Sequence, residues 1–442
     1  MIIVSDRNRN YYYNLDNFDD SIDSRDYRRR QPNRRQTSYN GRPSYDRRRL
    51  NKMRNYRRTR NRIIIVVSLI LVVTLVVLMI VLAFNGCGKK DNNKGVSTQP
   101  KQSSVSETSN TDEKPQPKNT DEKLAIDTFI EAEPKDDNSS GYNAGSIYVW
   151  NQAGFEVFGG DKERAKLYSD TVNGLADKVP DMNVYSMIVP NHTEMGLPRR
   201  LWAKNGGEAY TNSQADSIRS AYESMDKDKV TPINAYNYLS EHCNEYIYFN
   251  SDHHWTGLGS YYAYKAFADT LGLTALSLDD CEEKTIDGFT GSLTNNADGL
   301  KSDTVHYWHL PYSVSMEITH EGGSTESYNS PYFDEEANGS LTYGVFIWGD
   351  NPLTVMKSNS EKAESGRKIM VVKESYGNAF VPYLTQNFEE VHVADMRSFR
   401  QVSDSNLQTY CRQNGITDLL FINGVMSANN GDLLDSMEDL FK

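Results

Sequence analysis

The sequence predicts a mixed α/β domain carried behind a single membrane-spanning helix, and three observations predict it. Ile63 to Phe84 is a run of 22 residues drawn from Ile, Val, Leu, Met, Ala and Phe, interrupted only by Ser68 and Thr74. From Gly145 onward, strand-like and helix-like runs alternate in the manner of a sheet with helices on both faces. Lys368-Ile369-Met370-Val371-Val372 is a continuous apolar run of the kind a central parallel strand needs.

The chain opens on an arm, residues 1–62, that holds 18 Lys and Arg against 7 Asp, so it carries +11 while the whole chain of 442 residues carries −12. A basic arm and an acidic remainder suggest two compartments. Tyrosines interleaved with arginines could stack on RNA bases. The scarcity of aliphatic residues favours a disordered cytoplasmic tail that touches anionic lipid and binds no nucleic acid. The apolar run 63–84 then spans roughly 33 Å as a helix, enough for a bilayer core. Arg57, Arg58, Arg60 and Arg62 crowd its N-terminal side and only Lys89 and Lys90 follow it closely, which puts the N-terminus in the cytoplasm and the C-terminal bulk outside. The run is too long and too far from the N-terminus for a cleaved signal peptide. Residues 85–140 are polar and lack apolar periodicity, so they read as an extracytoplasmic stalk, with one short amphipathic piece at Leu124–Ala132.

Residues 141–442 form the expected domain. Ser146–Trp150 reads as a strand, Asp161–Val179 as a helix and Asn183–Val189 as a strand ending at Pro190-Asn191. Helices around Ala215–Met225 and from Pro232 to His242 precede a β-like run, Tyr246–Phe249, and a helix-like run, Leu258–Leu271. A β-rich excursion covers about 281–366, with strands expected at Val305–Trp308 and Tyr343–Trp348. The α/β rhythm returns with the strand ending at Val372, a helix from Ala379 to Gln386, a strand at Glu390–Asp395, a helix from Ser403 to Asn414 and a last strand at Asp418–Asn423. Four cysteines are too few for a disulfide framework; Cys243 and Cys281 could pair, or stay as thiols beside Cys411.

The chemistry concentrates in Ser251-Asp252-His253-His254-Trp255-Thr256. An imidazole oriented by a carboxylate is half of a nucleophilic apparatus, and Ser375 in Glu374-Ser375-Tyr376-Gly377-Asn378 supplies the hydroxyl. In extended backbone Asp252 and His254 share a face and His253 points away, which makes His254 the base. Backbone amides near Tyr376 would meet an oxyanion, and Gly377 would allow close approach. Asn378 and Asn423 are further oxyanion or substrate-binding candidates. Trp255 is either core or the wall of a pocket that stacks on a sugar ring. Asp252, His253 and His254 are also metal-ligand types, yet adjacent histidines cannot both face one ion from a regular strand, so no metal is expected.

These two motifs, with Val189-Pro190-Asn191, Phe289-Thr290-Gly291-Ser292-Leu293 and Asp395-Met396-Arg397, resemble the DHHW protein family of Gram-positive bacteria. That family in turn is similar to the alginate O-acetyltransferase-like branch of the SGNH hydrolases. The resemblance implies a flavodoxin-like three-layer α/β/α domain, a set of Asp252, His254 and Ser375, and no cofactor. It implies O-acetyl transfer to or from a cell-surface or secreted polysaccharide, with a polytopic membrane-bound O-acyltransferase as the partner supplying acetyl groups. An acetylesterase using the same triad, and a noncatalytic glycan-binding or exopolysaccharide-assembly protein, are the alternatives. Glu374 departs from the Asp that many relatives carry before the serine. The order Asp, His, Ser inverts that of typical SGNH hydrolases.

Overall fold

The computed structural model describes residues 123–442. The basic arm, the membrane-spanning run at 63–84 and most of the stalk lie outside the described residues. Among the described residues no helix is long and apolar enough to cross a membrane. The end of the stretch read as stalk packs on the domain: Asn237 takes the Ile130 N–H at 2.8 Å and donates to the carbonyls of Lys123 and Thr128, and Ala132 is buried. The polar composition there serves backbone pairing at a surface rather than solvation along its whole length.

In chain order the elements begin with three antiparallel strands, β1 (Tyr142–Ala144), β2 (Ile147–Trp150) and β3 (Ala153–Glu156). They are followed by α1 (Lys162–Ala176), β4 (Asn183–Val189), the short α2 (His192–Gly196), α3 (Gln214–Ser224), β5 (Val230–Pro232), α4 (Ala235–Glu241) and α5 (Gly257–Thr270). The hairpin β6 (Glu282–Phe289) and β7 (Asp303–His309) comes next, then β8 (Val314–Thr319), β9 (Thr325–Tyr328), β10 (Leu353–Ser358) and β11 (Glu364–Lys373). The chain closes with α6 (Gly377–Leu384), β12 (Phe388–Asp395), α7 (Leu407–Asn414), β13 (Asp418–Gly424), α8 (Val425–Ala428) and α9 (Gly431–Asp439).

Eight strands form the main sheet in the order β5-β4-β13-β11-β12-β10-β8-β9. The first five run parallel, and the last three are added antiparallel. β13 is buried end to end and β11 over its last five residues, which is why Ile369–Val372 and the core of β13 read as apolar runs. Alternate residues of β4 show the two covered faces. Tyr185 meets Phe267 of α5 edge-on at 5.4 Å, whereas the Ser186 hydroxyl lies 3.0 Å from the Tyr168 hydroxyl of α1 on the other side.

Four expectations need correction. The β-rich stretch is not an excursion from the sheet, because β8 and β10 extend it past β12; only β6 and β7 stand apart as a hairpin. Tyr343–Trp348 is not a strand: Gly339–Val345 forms a 3₁₀ segment, and Ile347, Trp348 and Gly349 all take positive φ. The β-like run at Tyr246–Phe249 keeps one isolated bridge, Tyr248 to Trp255, since the chain doubles back on itself there instead of joining the sheet. Cys243, Cys281 and Cys411 are free thiols, so the Cys243 to Cys281 pairing is not formed.

Candidate active site

The segment carrying Asp252 and His254 is a closed loop. The Phe249 N–H donates to the His254 carbonyl at 3.3 Å and the Thr256 N–H to the Ile247 carbonyl at 3.0 Å. Thr256 then caps α5, its hydroxyl accepting from the Gly259 N–H. Asp252 and His254 come together, but not through extended backbone. Asp252 folds back as an Asx turn in which Oδ1 accepts the His254 N–H at 3.0 Å. The same oxygen lies 2.6 Å from His254 Nδ1. His253 does not point away either: its ring packs on that of His254 with centroids 3.8 Å apart, and its Nδ1 lies 2.6 Å from the Ser292 hydroxyl.

What holds this loop is a residue the sequence did not single out. Asp303, the buried first residue of β7, accepts from Asn250 N–H (2.8 Å), Asn250 Nδ2 (2.7 Å), Ser251 N–H (2.8 Å), the Ser251 hydroxyl (2.6 Å) and the Tyr246 hydroxyl (2.5 Å). The Gly291 N–H donates to Ser251 Oγ at 3.0 Å, and the Ser292 N–H donates to Asp252 Oδ2 at 2.8 Å. A Cβ on Gly291 would lie 2.2 Å from Asp252 Cβ and 2.3 Å from its Oδ2, so only glycine lets this backbone reach the carboxylate. Phe289–Leu293 carried a signal as part of the family resemblance. A lone Asp opening a strand carried none.

Ser375 sits one residue beyond Glu374 at the C-terminal end of β11, ahead of α6, and its Oγ lies 2.7 Å from His254 Nε2. Asp252 and His254 are each 1% exposed, while Ser375 is only partly buried, so the hydroxyl is the member of the series that solvent reaches. Tyr343 covers His254 face to face, with centroids 4.1 Å apart and planes 12° from parallel, and its hydroxyl donates to the Ser375 carbonyl at 3.2 Å. No periodicity in the sequence pointed to Tyr343, because it belongs to a stretch that reads as a strand.

The other expected residues are placed less simply. The Tyr376 N–H, expected to face an oxyanion, donates instead to Glu374 Oε2 at 3.0 Å, while Glu374 Oε1 takes the Gly424 N–H at 2.7 Å. The Gly377 and Asn378 amides donate to the carbonyls of Glu374 and Ser375. Of the amides from 375 to 378, the Ser375 N–H alone has no acceptor among the described residues. Gly377 makes room for the Lys373 side chain, whose Cβ would be 2.6 Å from an added methyl, and not for a ligand. Trp255 is fully buried and donates its indole N–H to the Tyr376 carbonyl at 3.0 Å, which is the core role and not a sugar platform. Asn423 accepts from the Tyr168 hydroxyl at 3.2 Å on the α1 side of the sheet. Asn378 lines a small cavity with Ser375 and His254, its Nδ2 donating to Asp350 at 2.9 Å.

Burial pushes the Asp252 carboxyl up, but the neighbouring His253 and His254 and the hydrogen bonds from His254 and the Ser292 N–H outweigh it and hold it well below the usual carboxylate range. Burial and the adjacent His254 push His253 down, against the pull of Asp252. Asp252, His253 and His254 offer ligand atoms within 4.8 Å of one another. The Asp252 oxygen and His254 Nδ1 are, however, at hydrogen-bonding distance, 2.6 Å, whereas two ligands on one tetrahedral ion stand roughly 3.3 Å apart. This arrangement suits proton transfer better than ligation.

A carboxylate, an imidazole and a hydroxyl in hydrogen-bonded series, beside the C-terminal edge of a largely parallel sheet, define an α/β protein with the side-chain order of a serine-nucleophile site. The profile of the DHHW protein family matches residues 113–394, and the chain belongs to that family. A solved DHHW family protein from Eubacterium siraeum is 28% identical, the match covering 69% of this chain and 98% of that one, with a TM-score of 0.60. PatB1 of Bacillus cereus, solved with a sulfonyl adduct, shares the fold at 18% identity, 66% and 99% coverage and a TM-score of 0.54. The O-acetyltransferase domain of Pseudomonas putida AlgJ matches at 11% identity, 68% and 98% coverage and a TM-score of 0.36. No curated protein sequence matches.

Proposed function

We propose that this chain is a membrane-anchored, extracytoplasmic O-acetyltransferase acting on a cell-surface or secreted polysaccharide through an acyl-enzyme on Ser375. The observation that carries the reading is the unbroken series Asp252 Oδ1, His254 Nδ1, His254 Nε2, Ser375 Oγ, with separations of 2.6 and 2.7 Å. A serine hydroxyl is a weak nucleophile near neutral pH and needs a base whose other nitrogen is held by an acceptor. His254 takes the Ser375 proton as Oγ attacks the acetyl carbonyl, and Asp252 stabilises the imidazolium that forms. The Ser375 N–H serves the oxyanion. His254 returns the proton to the leaving group, then activates a glycan hydroxyl that resolves the acyl-enzyme. The family's flavodoxin-like, SGNH-type architecture supports the same chemistry, and no metal or cofactor enters it. Acetyl-CoA is cytoplasmic, so an external domain draws its acetyl group from a donor relayed by a membrane-bound O-acyltransferase.

The test uses the full-length chain in detergent with p-nitrophenyl acetate and a soluble oligosaccharide acceptor. A burst of p-nitrophenolate, a one-acetyl mass increase mapped to Ser375, and acetylated oligosaccharide are expected. A sulfonyl fluoride, the reagent class suggested by the adduct on PatB1, should label the same serine. Acetate as the sole product at every acceptor concentration would favour the esterase, and absence of any adduct would favour the noncatalytic reading.

Gly291→Ala tests how the carboxylate is seated. The new methyl must displace Asp252 or its own backbone, so the burst rate should fall by about 100-fold. Overpacking should also cost about 1–3 kcal/mol by denaturant titration. An unchanged burst would mean that Asp252 does not need its present place.

A further inference from the structure

The cavity that opens on Ser375 and His254 is walled on one side by Asn378 and Asp350. The Asn378 side chain is 1% exposed, and its two ends are treated unequally. Nδ2 donates to Asp350 Oδ1 at 2.9 Å, while Oδ1 is buried without a hydrogen-bond partner. The ends of a carboxamide are nearly the same shape, so charge decides which way it lies. Asp350 can only accept when ionised. Burial pushes its carboxyl up, but Lys373 and Arg397 outweigh that and hold it well below the usual range. Lys373 Nζ lies 2.8 Å from Oδ1 and Arg397 Nη2 lies 2.6 Å from Oδ2. Reversing the Asn378 amide would set a carbonyl oxygen against this carboxylate.

The backbone that delivers Asp350 is strained. Ile347 (φ 48°), Trp348 (φ 56°) and Gly349 (φ 78°) are left-handed in succession, which costs a β-branched residue most. Asn351 clamps the turn, its Nδ2 donating to the Ile347 carbonyl at 2.9 Å and the Trp348 carbonyl at 3.3 Å. An ion cluster, a clamped turn and an orphaned carbonyl thus meet at Asn378, a residue that lines the cavity of Ser375. A buried acceptor left unpaired is unfavourable until something that enters the cavity donates to it.

We propose that Asp350 is a positioning residue that fixes Asn378 with its carboxamide oxygen as acceptor for a second hydroxyl of the acetyl-accepting sugar, so that the site selects a polyol over a simple alcohol. This rests on the acyl-enzyme reading of Ser375. A hydroxyl next to the one being acetylated donates to Asn378 Oδ1, and the acceptor's reacting oxygen is thereby directed toward His254. An alcohol with a single hydroxyl leaves the oxygen unpaired and transfers less well.

The experiment forms the acetyl-enzyme of the full-length chain from p-nitrophenyl acetate and lets equal concentrations of glycerol and 1-propanol compete for it. The ratio of glyceryl to propyl acetate is the readout. The unaltered chain should favour glycerol by about 10-fold, beyond the ratio of the uncatalysed reaction. Asp350→Asn and Asn378→Ala should each bring the ratio back to the uncatalysed value, and the double variant should be no lower than Asn378→Ala alone, since Asp350 acts through Asn378. Asp350→Glu should restore part of the preference. A preference that survives in both single variants, or no preference in the unaltered chain, would overturn the proposal. So would a fall in the p-nitrophenolate burst with the ratio kept, which would make the amide an oxyanion group. A missing burst in the unaltered chain is a separate result: it removes the acyl-enzyme itself, and this inference with it. If Asp350→Asn does not fold, the ratio from Asn378→Ala decides alone.

Discussion

Ser375→Ala is expected to abolish the acetyl adduct, and His254→Ala to slow its formation by about 10⁶-fold, the scale seen when a serine–histidine pair that works as a unit is broken. Asp252→Asn should cost about 10⁴-fold, because it leaves the ring in place but removes the charge that favours the imidazolium. Rapid-mix intact mass spectrometry with p-nitrophenyl acetate measures all three. His253→Ala is the discriminating partner. It carries the same ring one residue away, but its Nδ1 meets Ser292 and not Ser375, so the adduct should still form. Equal losses from His253→Ala and His254→Ala would argue against a proton relay and for joint use of the three side chains as ligands. The sign of the pH dependence follows from the depressed Asp252 carboxyl. Its contribution to stability is present above the unfolded value of about 3.9 and is lost as pH falls through the folded one. The stability difference between the unaltered chain and Asp252→Asn should therefore be smaller in strong acid than near neutral pH.

Asp303→Ala should be the most damaging change away from the reacting atoms. Five donors from Tyr246, Asn250 and Ser251 converge on that carboxylate, and the alanine would strand them in a buried site. Removing a buried charged partner costs about 3–5 kcal/mol. Asp303→Asn, which keeps the shape and one acceptor, should cost roughly half as much. Equilibrium denaturation gives the stability, and the burst amplitude gives the fraction of molecules with the loop in place. If Asp303→Ala melted like the unaltered chain, the loop would be held by something other than this carboxylate. The same variant separates two roles that distance alone leaves joined. The Ser292 N–H donates to Asp252 directly and Gly291 packs against it, whereas Asp303 acts on the residues just before it.

Much of the site was legible because its residue types are rare together. A carboxylate, two imidazoles and an indole in consecutive positions, followed far downstream by a serine after a buried strand, left few chemistries open. The pairing of Asp252 with His254 was foreseen for the wrong reason: alternation along a strand predicted a shared face, while an Asx turn produced it. The oxyanion expectation failed at Tyr376 because the Glu374 carboxylate reaches back to that amide. Asn423 was expected near the nucleophile because it ends a parallel strand, but strand residues alternate between faces, and this one meets Tyr168.

The sequence by itself determined the buried parallel strands, the helix that follows Thr256, the candidate set of Asp252, His254 and Ser375, and membership of the family, since each depends on residues adjacent in the chain or on motifs of fixed spacing. The tertiary structure alone decided that β8 and β10 widen the main sheet, that Asp303 seats the loop, that Tyr343 covers His254, and that Asp350 faces Asn378. Asp303 stands 52 residues from Ser251, Tyr343 stands 32 from Ser375 and Asp350 stands 28 from Asn378. Local pattern reports which side of an element faces the core. It carries no information on which distant side chain will be waiting there, because that choice is made by packing the whole sheet at once.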